Sequence, residues 1–469
     1  MGQGEHDRIG LEAAAREAAD AGSFVPDVVA QVRSSTLTWE VSSAPEEAPV
    51  WIYVDPPDPP SVSVGWKLHV SAALISAQEV LERSLAVLLR EKSPFKLAAS
   101  FRVLEALNEG EAGLSQIGKF LTVYPSDDAR AVDLARKLDA ATRGLRGPRV
   151  PSDRPLAPGS LVHYRYGTFD APDEQQPGDS LAARSTYVAP ESVQDPFLLA
   201  GVTEPETKGL IDGRLYLSST IHRSARGAVH TAVDIKELRD CIVKRASRDA
   251  RLGPDGLDAR DQLRDEAAVL GRLEGRAPVP KVFDLLDHET DLLLVMEKVP
   301  GAPLGAVVHR MFADKAPPDL VRVVRWATKL AGALAAVHEQ GLVYRDLNPA
   351  NALVTREGMV SLIDFELTRP AGSSTEFYTA GTPGFLSRQQ AEGLPASPSD
   401  DVYSLGALIA FTATGERPSG ISAADAIRRR FGSDGTSLAK IVERCLAHGP
   451  DERWAEMRSL EAALADAAA

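Results

Sequence analysis

Asp346 and Asn351 lie five residues apart in "VYRDLNPANALV", and Asp364 follows thirteen residues later in "LIDFE". Carboxylate and amide oxygens are group types that accept protons or ligate hard cations. A second set of chemistry-bearing residues lies far upstream. In "GWKLHVSAALI" a strand would put Lys67 and His69 on one face, with Trp66, Leu68 and Val70 on the other. Such a cationic face either meets water or forms the floor of an anion site. The pattern alone leaves both open.

The Asp346–Asn351–Asp364 segment resembles the catalytic loop and metal-binding segment of the protein kinase fold. The resemblance makes Asp346 the base for an attacking hydroxyl, and Asn351 and Asp364 the ligands of Mg²⁺ on nucleotide phosphates. Supporting segments occur in the expected order. "DCIVKRA" offers Lys244 on a strand, and Glu266 in "RDEAAVLGRLEG" is its expected partner. "LLLVMEKVPGAPL" resembles the hinge, with Met296 as gatekeeper and the backbone of Glu297 to Val299 meeting the base. "GTPGF" resembles the end of an activation segment, and Asp401 in "SDDVYSLGALI" is expected to brace the catalytic loop. The glycine-rich loop is reduced: "HRSARGAV" keeps Gly227 and Val229. Tyr344, Asn348 and Glu366 stand where the family has His, Lys and Gly, and Gln389 replaces a Glu that pairs with an Arg, here Arg453.

Further cations sit among apolar or aromatic neighbours: Lys96 in "SPFKLAAS", Lys119 in "IGKFLTVYP" and Arg165 in "HYRYGTF". Converging, they would hold one dianion such as phosphate; apart, they are strand-edge charges. Taken in order ahead of a kinase-like segment, these stretches resemble the N-terminal half of class III (LanKC-type) lanthionine synthetases, and "NPANALV" and "IDFE" are similar to that family as well. The resemblance covers about residues 37–465.

It implies a bifunctional dehydratase. The kinase phosphorylates Ser or Thr of a leader-bearing precursor peptide with ATP or GTP and Mg²⁺, and a phosphothreonine-lyase-like domain then eliminates the phosphate. Lys96 is implied as the base and His69 as the acid, with Lys67, Lys119 and Arg165 holding the phosphate. A lysine serves as base only when neutral, a state that burial and neighbouring cations favour. Full synthetases continue into a cyclase domain, whereas this sequence stops at "AALADAAA", so a separate cyclase protein is expected if rings form. Two alternatives remain: a regulatory Ser/Thr kinase with a sensing N-terminal domain, and a pseudokinase scaffold that binds the leader.

The elements that must position these residues follow from pattern. "PVWIYVD", "VGWKLHVSA", "GKFLTVYP" and "SLVHYRYGTF" read as strands. "AQEVLERSLAVLLREK" places Val80, Leu81, Leu85, Leu88 and Leu89 at helical spacing, and Leu320 to Val337 forms a longer stripe. The predicted organisation is α+β: a helical extension over 1–35, a lyase-like domain over 36–170, a Pro- and Gly-rich linker over 171–212 in which "DPFLLAG" is pinned to a surface, and a two-lobed kinase-like domain over 213–469. The 469 residues exceed one ordinary core. A net charge of −14 argues against nucleic acid or an anionic membrane as partner. Two cysteines exclude a disulfide framework, and with no signal peptide or membrane span a cytoplasmic protein is expected.

Overall fold

The computed structural model describes residues 22–35, 39–43, 50–60, 62–169, 190, 192–202, 210–253, 255–374, 381–418 and 422–467. The first 21 residues of the predicted helical extension, most of the predicted linker and positions 375–380 lie outside the described residues. The fold is α+β, with two compact units. One runs through Arg239 and adds Val243–Asp261 and Leu286–Leu293; the other holds Asp240–Ile242, Gln262–Leu285 and the chain from Leu294 onward.

The first unit is built on a seven-stranded sheet. Its strands are β1 (Glu40–Ser43), β2 (Trp51–Asp55), β3 (Val64–Val70), β4 (Phe95–Ala98), β5 (Leu121–Val123), β6 (Arg154–Pro155) and β7 (Val162–Thr168), in the order β1-β2-β4-β5-β3-β7-β6. Alternation gives the sheet two different faces. Trp66, Leu68, Val70, Phe95, Leu97, Leu121, Val123, Val162 and Tyr164 enter one continuous apolar core. Helices α1 (Val25–Ser34), α2 (Ala77–Glu91), α3 (Phe101–Glu109) and α4 (Asp128–Thr142) cover that core. The predicted stripe of α2 buries Val80, Leu81, Leu85 and Leu88, and the helix stops at Lys92 in the left-handed region. Ser100 and Asp127 start α3 and α4 by accepting the backbone N–H of Val103 and Arg130.

"DPFLLAG" is part of this core. Asp195 caps the short helix α5 (Pro196–Leu199) by accepting from Phe197 N at 2.9 Å, and it pairs with Arg154 at 3.0 Å. Phe197 is fully buried, stacked on Tyr164 at 3.8 Å and edge-on to Trp66 at 5.5 Å.

A six-stranded sheet follows, made of β8 (Leu210–Ile211), β9 (Leu215–Ser224), β10 (Gly227–Asp234), β11 (Arg239–Ala246), β12 (Val282–His288) and β13 (Asp291–Glu297), in the order β12-β13-β11-β10-β9-β8. The division between the units runs through its strands. Helix α6 (Ala259–Leu273) carries Glu266. Beyond β14 (Ala302–Pro303) the second unit is mainly helical: α7 (Leu304–Ala313), α8 (Leu320–His338), α9 (Arg388–Ala391), α10 (Pro398–Thr414), α11 (Ser422–Phe431), α12 (Thr436–Cys445) and α13 (Met457–Asp466). Short strands β15 (Leu342–Val343), β16 (Ala352–Val354), β17 (Val360–Leu362) and β18 (Arg369–Pro370) flank the Asp346 segment. A capping box between Ser397 and Asp400 starts the buried helix α10.

Phe197→Ala should destabilise the protein by about 3–5 kcal/mol, because it empties an aromatic site in a packed core. Leu199→Ala, at a position 71% exposed, should stay within about 0.5 kcal/mol of wild type. Denaturant unfolding of the two variants checks this, and equal effects would refute the placement.

Candidate active sites

Register brings the upstream cations together. Directly paired residues on neighbouring strands project from the same sheet face. Tyr53 pairs with Lys96, Lys96 with Thr122, Thr122 with His69, and His69 with His163, which makes one row across five strands. Two residues along, Lys67 pairs with Arg165. Lys67, His69, Lys96 and Arg165 therefore share the face opposite the apolar core. Lys119 is not on a strand; it precedes β5 after a turn at Gly118, whose φ of +74° lies in the left-handed region. This face is not washed by water. Lys67 is 4% exposed, His69 0%, Lys119 1% and Arg165 6%. Exposure rises toward Lys96, which is half-buried with its Nζ 4.5 Å from the centre of the Trp51 ring, and toward Tyr53 at 39%.

A buried carboxylate completes the arrangement. Asp153 accepts a hydrogen bond from His69 Nδ1, so Nε2 is the ring atom turned away from it. Ser152 Oγ donates to the other Asp153 oxygen at 2.7 Å. Burial alone would raise the Asp153 carboxyl; the His69 imidazole, Lys119 and Arg165 instead hold it well below the usual carboxylate range. One carboxylate thus feels three members of the predicted set. His163 has a different role. Its Nδ1–H donates to Leu161 O at 3.2 Å and its Nε2 accepts from Val150 N at 3.2 Å, which fixes a neutral ring. Burial lowers its pKa to about 4.

Asp153 was not legible in the sequence, since it meets His69 across 84 residues from an irregular loop. His163 carried a signal. "HYR" repeats in reverse the two-residue spacing of "KLH", and antiparallel pairing superposes the two.

The second constellation is local. The antiparallel pair β16–β17 brings Asn351 and Asp364 to one end, where Ile363 N donates to Asn351 O at 2.9 Å. Asn351 Nδ2 donates to Asp346 Oδ2 at 2.7 Å and to Asp346 O at 3.1 Å, which leaves Oδ1 as the metal-facing type of atom. Asn348 Nδ2 donates to Asp346 Oδ1 at 3.1 Å, while Asn348 Oδ1 accepts from the backbone of Ala350 and Asn351. A neutral donor that tightens the loop therefore occupies the place of the expected cation. Burial pushes Asp346 up to about 6 against the bond from Asn348, and Asp364 and Glu366 act in the same direction as burial.

Asp401 braces this loop. Its carboxylate accepts Tyr344 N at 2.8 Å, Arg345 N at 2.7 Å and His338 Nε2 at 2.7 Å. Tyr344, in place of the expected His, is buried, donates its hydroxyl to Ile363 O and meets the Phe365 ring edge-on at 4.9 Å. Glu266 Oε1 accepts Phe365 N at 3.0 Å, and Arg453 donates to Gln389 at 2.9 Å. Met296 is buried at the end of β13, while Glu297 gives its N–H to Lys281 O at 2.8 Å and half-buried Val299 follows.

Gly227, Val229 and Lys244 belong to the first unit. Val229 and Lys244 are half-buried on β10 and β11. Gly227 has φ +154°, and a Cβ there would fall 1.8 Å from Arg245 O, so close strand packing requires glycine at this position. Among the described residues no group of three or more His, Cys, Asp or Glu forms a metal cluster. One amide oxygen and one carboxylate nevertheless fit a Mg²⁺ that takes its other ligands from phosphates and water.

A strand sheet followed by helices, with an Asp-braced loop holding Asp346 and Asn351 together, is the arrangement of a protein kinase. Residues 219–465 match the family described as "Protein kinase domain", and the chain belongs to that family. Residues 30–207 match "RamC, N-terminal domain". The chain is 31% identical over 384 residues to the "Probable SapB synthase" of Streptomyces coelicolor, across 76% of this chain and 40% of that protein. It is 30% identical over 248 residues to the serine/threonine-protein kinase PknL of Mycobacterium tuberculosis, across 52% of this chain and 60% of that one. A 34% match over 204 residues to the serine/threonine-protein kinase PkaA of S. coelicolor spans 40% of this chain and 36% of that kinase. The chain thus covers less than two thirds of each of these curated relatives. The kinase domain and its Ser/Thr kinase relatives support kinase activity, with the nucleotide triphosphate and Mg²⁺ that such domains generally use. Among the described residues no helix is long and apolar enough to cross a membrane.

His163 yields a pH prediction. It is neutral when folded, with its pKa lowered from 6.5 to about 4, so protons bind the unfolded chain preferentially between those values. Stability should be full above pH 6.5 and fall toward pH 4, by at most about 1.4 kcal/mol per pH unit per histidine. His163→Gln keeps a donor and an acceptor and should flatten that fall; His230, also lowered to about 4, adds to it, and Asp346, raised to about 6, works against it. Urea unfolding at stepped pH measures both slopes.

Proposed function

We propose that the chain is a bifunctional dehydratase that phosphorylates Ser or Thr of a ribosomally made, leader-bearing peptide and then eliminates the phosphate to leave dehydroalanine or dehydrobutyrine. The observation that carries this reading is the buried face of Lys67, His69, Lys119 and Arg165, with Lys96 at its more open side, in one chain with a protein kinase domain. Buried cations gathered on one face suit an anion. A phosphoryl ester is such an anion.

In the first step Asp346 accepts the proton of the peptide hydroxyl as its oxygen attacks the terminal phosphoryl group, and the bond from that phosphorus to its bridging oxygen breaks to release the nucleoside diphosphate. Asn351 and Asp364 would hold Mg²⁺, which with Lys244 neutralises charge on the nucleotide phosphates. Glu266 would pair with Lys244; Gly227 and Val229 would cover the phosphates, while Met296 and the Glu297–Val299 backbone would meet the base. In the second step neutral Lys96 removes the Cα proton and the electron pair forms the C=C bond. The Cβ–O bond breaks, and His69 Nε2 gives its proton to the departing bridging oxygen. Lys67, Lys119 and Arg165 stabilise the phosphate dianion as it leaves. Asp153 keeps the acid in place and balances its imidazolium charge.

Residues 36–170 and 213–469 are the elimination and kinase domains of this proposal, with 171–212 between them. The expected setting is the cytoplasm, where peptide and nucleotide meet. The Ser/Thr kinases among the relatives favour a second reading, a regulatory kinase whose N-terminal part senses a signal.

Incubation with ATP, Mg²⁺ and the precursor peptide should remove one water per modified site by mass spectrometry. Lys96→Ala and His69→Ala should accumulate phosphopeptide, with elimination slowed by about a hundredfold or more. Asp346→Ala should abolish phosphorylation and still eliminate phosphate from a synthetic phosphopeptide. Stable phosphoprotein with wild type would establish the regulatory kinase instead.

A further inference from the structure

We propose that Arg146 and Asp249 are positioning residues for the His69 site: a turn from the kinase part of the sequence sets the imidazole through the strap that carries Asp153. This rests on the elimination reading above.

The strap is "RGPRVPSD", Arg146 to Asp153. At one end Arg146 Nε and Nη2 each lie 2.7 Å from Asp249 Oδ1, Nη1 donates to Gly256 O at 3.2 Å, and Gly147 N donates to Asp249 Oδ2 at 3.4 Å. Asp249 and Asp258 are buried. The turn that presents them is closed on itself, with Asp249 N donating to Asp258 Oδ2 at 2.9 Å and Ala259 N to Ala250 O at 2.9 Å. Arg260 Nη2 adds a bond to Asp258 at 2.8 Å. The anchor is therefore a formed structure and not a passing surface contact. It lies within residues 219–465, in the kinase match, whereas the strap lies within 30–207.

From that anchor the strap touches the cationic face residue by residue. A Cβ on Gly147 would fall 2.9 Å from Ser71 Oγ and 3.0 Å from Ala72 N, so the strap presses on the chain leaving β3 just beyond His69. The carbonyls of Pro148 and Arg149 lie 3.4 and 3.2 Å from where a Cβ of Gly118 would sit, backing the turn that delivers Lys119. Val150 N holds His163 Nε2, Ser152 Oγ reaches Ser115 O at 3.2 Å, and Asp153 ends the strap on His69 Nδ1. An eight-residue segment, fixed at its start by a charged pair, thus sets Asp153, the Lys119 turn and His163 together. Lys67, Lys119, Arg165, His163 and Arg149 are the charged or titratable groups near the His69–Asp153 pair.

Displacement of a proton donor by about 1 Å is enough to cost about a hundredfold in rate. Slackening the anchor should therefore act chiefly on the chemical step, with a smaller effect on phosphate capture through the Lys119 turn. In the full-length protein, Asp249→Asn and Arg146→Ala should lower kcat for phosphate release from a synthetic phosphoserine peptide by about tenfold or more, with KM changed by less than about threefold. Phosphorylation of the precursor should be unaffected, and Arg146→Lys, which keeps the charge, should recover part of kcat. A second readout needs no turnover. With ¹⁵N-labelled histidine, wild type should show His69 Nδ1 protonated whether or not Nε2 also carries a proton, and Asp249→Asn should shift the Nδ1 signal toward exchange between the two nitrogens.

Unchanged kcat and unchanged His69 nitrogen shifts in Asp249→Asn would overturn the proposal. So would losses of elimination and phosphorylation in parallel with unfolding in every variant, including Arg146→Lys. If wild type releases no phosphate while Asp249→Asn still shifts the His69 nitrogens, positioning stands and the elimination reading fails.

Discussion

The hydrogen bond from His69 to Asp153 is the interaction around which the first unit's buried cationic face is organised. A sheet face holding Lys67, Lys119 and Arg165 out of water is electrostatically hostile to a further positive charge. An imidazole placed there would resist protonation. The Asp153 carboxylate, itself held ionised by the same cations, accepts the Nδ1 proton of His69 and changes that balance. It also sets the ring's orientation, since Nδ1 is committed to the carboxylate and Nε2 is turned away from it. Neighbouring His163 makes the contrast plain. It sits in the same row with backbone partners on both nitrogens, and it stays neutral. Two histidines on one face thus differ in environment because one meets a carboxylate and the other meets the main chain.

The second unit solves a related problem by a different route. Asp346, Asn351 and Asp364 are close in sequence, and one antiparallel pair of short strands brings the latter two together. The difficulty lies in holding an irregular loop still. Asp401, at the start of a buried helix, accepts two consecutive backbone N–H groups and a histidine, so the loop takes its shape from helix α10. Asn348 adds a brace from within the loop. Its amide spans Asp346 and the following backbone.

What could be read in the sequence follows the range of each interaction. The strand alternation that places Lys67 with His69 is a property of adjacent residues, and "HYR" repeats it on the neighbouring strand, so the face was legible. Its burial was not, because water and anion floor give the same pattern. Lys119 escaped strand logic through a glycine turn. Asp153 and Asp249 are invisible locally, since each acts on a partner about a hundred residues away across irregular backbone. Gly227 was read as part of a phosphate-covering loop, whereas the packing of β10 on β11 already demands glycine there. Kinase motifs survived this difficulty because their residues are packed within short segments whose spacing reflects one geometry.

The aromatic stack of Phe197 on Tyr164 has an evolutionary corollary. A crossover placed just after β7 would hand a recipient gene a sheet with an unfilled slot between Trp66 and Tyr164. Successful shuffling of such front modules between different kinases must therefore cut beyond Val202, and homologous joins should cluster there even though the composition offers a more obvious seam thirty residues earlier.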